Sequence, residues 1–250
     1  MNEDVRVLFE DNHILAVEKP PGLLSQGDRT GDRTLSDWAK DYLKEKYNKP
    51  GDVYLGLVHR LDRPTGGVMV LCRTSKAAAR VSEQFRQHQV RKTYLAICKG
   101  RPRKDSAELV HHLLFDEKSM RAIAEQTPVK GSKLAQLSYK VLRYCPRTDS
   151  SLLSVEPRSG RKHQIRVQLS TAGYPLIDDV KYSGGGSKGK RTEAIGLWAH
   201  KISLTHPVKK TNLTLSCIPD ASQYQMWSSF QETMSSLPCR EGVDTKEPPV

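Results

Sequence analysis

Two short apolar runs rich in β-branched residues, Val53–Val58 and Val68–Cys72, enclose a polar turn. Each run reads as a buried strand. The turn holds His59, Arg60, Asp62, Arg63, Pro64, Thr65, Gly66 and Gly67. A chain with this pattern must hold one carboxylate and two arginines between rigid elements, beside a glycine pair that lets another segment approach closely. Asp62 either starts a tight turn or is a working carboxylate; the stretch alone leaves both open.

Around it the chain alternates between strand and helix patterns. Val5–Phe9 and His13–Glu18 read as strands joined at Asp11-Asn12, and Lys19-Pro20-Pro21-Gly22 ends the second. Lys19 is a cation at a strand end, either solvated or facing a cleft. Thr34-Leu35-Ser36-Asp37 has the form of a capping box and opens a helix with Leu35, Trp38 and Tyr42 on one face. Ser75 is expected to cap a second helix running to about Gln89, with Ala78, Val81 and Phe85 inward and Lys76, Arg80 and Arg86 outward. Val90–Lys99 alternates as a strand, with Leu95 and Ile97 on one side and Tyr94, Ala96 and Cys98 on the other. Gly100–Ser132 is mixed and polar, with no clear period. Its His111-His112 pair lacks further ligands at metal spacing, so no metal site is assigned. Ala135–Val141 alternates as a half-buried strand with Leu152–Val155 as its partner. Leu197–Thr205 and Leu213–Cys217 are strands, and a last helix starts near Asp220 with Tyr224, Trp227, Phe230 and Met234 about one turn apart. Residues 183–191, rich in glycine and lysine, are flexible by composition.

The second dense stretch is 156–173. A strand ends, Ser159-Gly160 turns, and a helix runs to Gly173 as a C-cap, with Ile165 and Leu169 on its buried face. Arg158, Arg161, Lys162, His163 and Arg166 gather at the turn and first helical turns. Cations at a helix N-terminus oppose the macrodipole, so such a cluster is expected to meet anions, either a carboxylate or phosphates.

Charge points the same way. The 250 residues carry 40 Lys and Arg against 28 Asp and Glu, a net +12. A domain this basic is expected to have a polyanionic partner, nucleic acid first. Cys72, Cys98 and Cys217 sit in apolar strand patterns and read as reduced core residues, with no disulfide frame. No apolar run reaches the ~18 residues of a membrane span. Met1-Asn2-Glu3-Asp4 has neither a secretory nor a transit pattern. The expected setting is a cytoplasmic monomer, with organellar and nuclear compartments left open.

Six motifs occur in order: E-K-P-P-G (18–22), H-R-L-D-R-P-T-G-G (59–67), K-T-Y-L-A (92–96), G-R-K-H-Q-I-R-V-Q-L (160–169), G-Y-P-L-I-D-D-V-K-Y (173–182) and W-A-H-K-I-S-L-T-H-P (198–207). Together they resemble the RluA-type pseudouridine synthases over roughly residues 5–207. Gly66, Asp178 and Ser183 depart from the usual serine, glycine and glycine of that pattern. The resemblance implies an α+β fold with a mixed, mostly antiparallel sheet flanked by helices and loops. It implies an RNA partner, rRNA or tRNA, and isomerisation of uridine to pseudouridine with neither metal nor cofactor. It also implies roles. Asp62 is the essential carboxylate, Arg166 its ion-pair partner, and Tyr94 packs on the target uracil. Arg60 fills the vacated base stack; Lys19, Arg161 and His163 contact RNA or shape the cleft. The expected organisation is one catalytic domain over 1–238 with no S4-type domain, then a disordered tail over 239–250. An RNA binder without catalysis, or a hydrolase using Asp62 with His59 or His163, are the competing readings.

Overall fold

The computed structural model describes residues 5–28, 30–183, 193–238 and 241–244. The glycine- and lysine-rich stretch from 184 onward falls largely outside them. The expected catalytic domain comprises two compact units.

The first unit takes residues up to Arg91 together with Ala199–Cys217 and the C-terminal residues. Strands β1 (Arg6–Glu10) and β2 (Ile14–Lys19) form the expected hairpin. The Asp11 carboxylate closes its turn, accepting the amide N–H of His13 (2.8 Å) and Ile14 (2.9 Å). Helix α1 (Leu35–Lys46) starts at the expected capping box: Thr34 and Asp37 satisfy each other's backbone N–H groups. Strand β4 (Gly66–Cys72) is buried at every position and pairs antiparallel with β2. The expected strand over Val53–Val58 shrinks to β3, Gly56–Leu57. A Cβ at Gly56 would come within 2.6 Å of the Ala78 Cβ, so β3 lies against helix α2 (Ser75–Arg86) closely enough to require glycine. The cap of α2 is Thr74, whose hydroxyl accepts the Ala77 N–H at 3.2 Å; the expected cap, Ser75, is already helical. Strand β10 (Leu197–Thr205) pairs with β11 (Asn212–Ser216), and β12 (Glu241–Asp244) pairs with β11. The expectation of a disordered tail is therefore corrected at 241–244; 239–240 and 245–250 lie outside the described residues.

The second unit holds Lys92–Trp198 and Ile218–Pro238. Its strands, β5 (Arg91–Lys99), β6 (Ser106–Asp116), β7 (Arg121–Glu125), β8 (Lys133–Cys145) and β9 (Ser150–Pro157), lie in the order β5-β9-β8-β6-β7, antiparallel throughout. Helix α3 (Gln164–Thr171) packs Ile165 and Leu169 on Ala96, Cys98, Leu137, Leu153 and Val155. It ends as expected: Gly173 has φ +89°, and Tyr174 N–H returns to Leu169 O at 2.9 Å. The last expected helix is split into a 3-10 turn over Gln225–Phe230 and α4 (Gln231–Ser235), with Trp227, Phe230 and Met234 buried. No helix among the described residues is long and apolar enough to cross a membrane.

Candidate active site

The expected site residues fall in both units. Lys19, Arg60 and Asp62 belong to the first; Tyr94, Arg161, His163 and Arg166 belong to the second.

Asp62 sits half-buried in a turn whose neighbours are both pinned. On one side, the buried Ser25 hydroxyl donates to Leu61 O (2.8 Å) and accepts the Leu61 N–H (3.1 Å). On the other, Arg63 O accepts the Gly22 N–H at 2.8 Å, and Arg63 Nε donates to Gly22 O at 2.9 Å. The turn closes through Thr65 N–H to Asp62 O, 3.0 Å. Just beyond it, Gly67 has φ +116°, and a Cβ there would lie 2.6 Å from Ala199 N and 2.8 Å from Ala199 C. Only glycine lets β4 approach that backbone. His59 serves structure: Nε2 accepts the Val70 N–H at 2.9 Å and the ring stacks on Phe85.

Lys19 requires a correction. It was expected to contact RNA or to shape the cleft; its side chain is fully buried, which leaves only the second. Nζ donates to Pro20 O (2.9 Å), Leu23 O (2.8 Å) and Arg63 O (3.2 Å). Those three carbonyls fill the ammonium's three donors, so no phosphate is within its reach. Burial pushes the amine down to about 7, against the opposing charge of Asp62. In its protonated form Lys19 is a cation built under the turn. Arg60, by contrast, is exposed.

In the second unit, Arg166 is 5% and Asp179 1% exposed. Arg166 Nε and Nη2 donate to the two Asp179 oxygens at 2.7 and 2.8 Å. This fork uses two of the five N–H donors of a guanidinium and fixes its plane. The Tyr182 ring lies 5.2 Å from the Arg166 guanidinium. The Tyr182 hydroxyl accepts the Ala122 N–H (2.7 Å) and shares a hydrogen bond with His163 Nδ1 (2.7 Å). His163, with φ +57°, thereby leads the chain into α3. Tyr94 is half-buried on β5 opposite Val155 and packs against the α3 cluster. Arg161 is exposed, with Nε donating to Leu134 O at 3.3 Å.

Asp179 and Ser25 escape sequence reasoning. Asp179 had a signal, the acidic pair of G-Y-P-L-I-D-D-V-K-Y thirteen residues past a buried arginine; Ser25 had none. Asp178, standing where glycine is usual, has φ +58°, so the backbone keeps the shape that glycine would take. Among the described residues no group of three or more His, Cys, Asp or Glu is placed to hold a metal ion.

A family model described as RNA pseudouridylate synthase matches residues 13–171. The chain belongs to the RNA pseudouridylate synthase family. The synthase is 30% identical over 240 residues to tRNA pseudouridine synthase C of Haemophilus ducreyi, covering 91% of this chain and 96% of that one. It is 30% identical over 241 residues to the dual-specificity RNA pseudouridine synthase RluA of Vibrio vulnificus, covering 93% and 91%. The solved structure of human RNA pseudouridylate synthase domain containing 4 shares its fold, with a TM-score of 0.72 at 24% identity over 90% of this chain and 93% of that one. The synthase is thus an RNA isomerase with an α+β fold, as expected from its motifs. Uridine becomes pseudouridine when the C1′–N1 bond is exchanged for C1′–C5.

Proposed function

We propose that the synthase modifies uridine in structured tRNA or rRNA, with Asp62 as the catalytic carboxylate, Arg166 as its counter-ion and Tyr94 packed on the target base. The observation that carries this reading is the pinning of Leu61 and Arg63 on either side of Asp62. A residue serving only as a turn former needs no such double anchor, whereas a reacting carboxylate does, because small misplacements are costly in rate.

The electrostatics support the same roles. RNA closing over Asp62 would strip water from it and favour its neutral form. A guanidinium held flat by Asp179 is a preorganised cation for that carboxylate, and Lys19 under the turn adds positive charge when protonated. Arg60 is exposed and suited to fill the stack left by the flipped uridine, which costs a few kcal/mol to open. Arg161 is exposed and suited to a phosphate. His163 acts on shape, through Tyr182.

The relatives, one named for tRNA and one as a dual-specificity RNA pseudouridine synthase, support tRNA and more than one substrate class. The test is pseudouridine formation on unmodified tRNA and rRNA transcripts, with Tyr94→Phe and Arg166→Lys beside wild type. Loss of turnover with RNA binding retained is expected for Arg166→Lys, which cannot reproduce the fork. Wild-type turnover in that variant would remove Arg166 from its role.

A further inference from the structure

We infer that Lys92 grips a phosphate of the RNA strand that carries the target uridine. This rests on the reading that Tyr94 meets the target base. Strand side chains alternate, so Lys92 and Tyr94 leave β5 on the same side. That side is the one α3 covers: Ala96 and Cys98, next along the row, pack with Ile165 and Leu169. Lys92 therefore prolongs the row of Tyr94 past the edge of the core.

Its amine is poorly provided for. Nζ makes one long hydrogen bond, 3.3 Å to Ser159 O, and lies over Gly160, 3.7 Å from where a Cβ would stand. No carboxylate among the described residues lies within ion-pair distance of it. The side chain is half-buried, and burial lowers the pKa of the amine. An ammonium that has lost much of its water and gained one weak acceptor has donors to spare for an anion.

The surroundings suit a phosphodiester. The turn under Lys92 is rigid: buried Gln164 accepts from Ser159 Oγ (2.8 Å) and the Arg161 N–H (3.1 Å), and donates to Gln136 O (3.0 Å). Arg158 and Arg161, on that turn, are exposed. Lys92, two residues along β5 from Tyr94, so joins two cations of the fixed turn beneath it, Arg161 and Arg158, the latter 3.7 Å from Glu108. Lys92 is the most buried of the three, where one added hydrogen bond counts most.

The test compares Lys92→Met and Lys92→Arg with wild type on one unmodified tRNA transcript, between roughly 50 and 200 mM KCl. Lys92→Met is expected to flatten the plot of log binding constant against log salt by about 0.7 to 0.9. Its KM rises about tenfold with kcat held within about twofold, the loss of one charge-assisted bond. Lys92→Arg keeps the wild-type slope. Lys92→Gln, which retains an N–H for Ser159 O, supplies the same reading if the methionine variant does not fold. An unchanged slope in Lys92→Met or Lys92→Gln overturns the inference, as does a fall in kcat alone. Failure of the proposed function reads differently: Asp62→Ala would then still form pseudouridine, whatever the Lys92 slopes.

Discussion

Arg166 and Asp179, thirteen residues apart, meet in a two-pronged bridge of 2.7 and 2.8 Å with both side chains buried. Neither charge can be left alone there. Asp179→Ala is expected to cost about 3–5 kcal/mol, because it removes the buried carboxylate that holds the guanidinium fork. Asp179→Asn keeps the size but offers only one acceptor oxygen, so it should fold and lose at least about tenfold in kcat as the guanidinium loses its fixed plane. Thermal unfolding and single-turnover kinetics measure the two effects.

Gly67 tests the close approach that follows the Asp62 turn. Gly67→Ala would place a methyl on the Ala199 backbone at a φ of +116°. The two penalties together should exceed about 3 kcal/mol and lower soluble yield. Gly27→Ala, with nothing within 4 Å of its Cβ, is the control expected to leave stability within about 0.5 kcal/mol.

Asp178 carries a left-handed backbone that the family pattern gives to glycine. Asp178→Gly should be neutral or stabilising by up to about 1 kcal/mol, since glycine meets no Cβ penalty there. Asp178→Val should destabilise by about 1–2 kcal/mol. Denaturant midpoints decide both.

Much of this was legible where the signal is local. Thr34 and Asp37 are three residues apart and satisfy each other, so their capping box reads directly. The strand over Tyr94–Cys98 reads because both of its sides are filled with apolar or aromatic groups. β6 did not read. Its inward position 111 is a histidine, bonded through Nδ1 to Gln168, while the outward Val110 is 43% exposed. A polar residue inside and an apolar one outside erase the period that identifies a strand. In the site, Asp62, Tyr94 and Arg166 came from motifs, but their supports did not. Ser25 acts on Leu61 from 36 residues away, and Lys19 on Arg63 from 44. Such pairings exist only once the chain is folded, which is also why the sequence left Lys19 either solvated or facing a cleft.

Acid sensitivity follows from Asp11. Burial works to raise its pKa, but the N–H groups of His13 and Ile14, then Lys209 and His206, outweigh it and bring it to about 2. The folded value lies below the unfolded one, so the stabilisation is present above about pH 4 and lost as pH falls toward 2. The partly exposed carboxylate should contribute about 1–2 kcal/mol there. Asp11→Asn should unfold with a shallower pH dependence over that window.

The most direct measurement is pseudouridine formation by Asp62→Asn on unmodified tRNA and rRNA transcripts, beside wild type, with RNA binding followed in parallel. The account predicts product from wild type, none from Asp62→Asn, and RNA affinity within about threefold of wild type. Product from Asp62→Asn would contradict it.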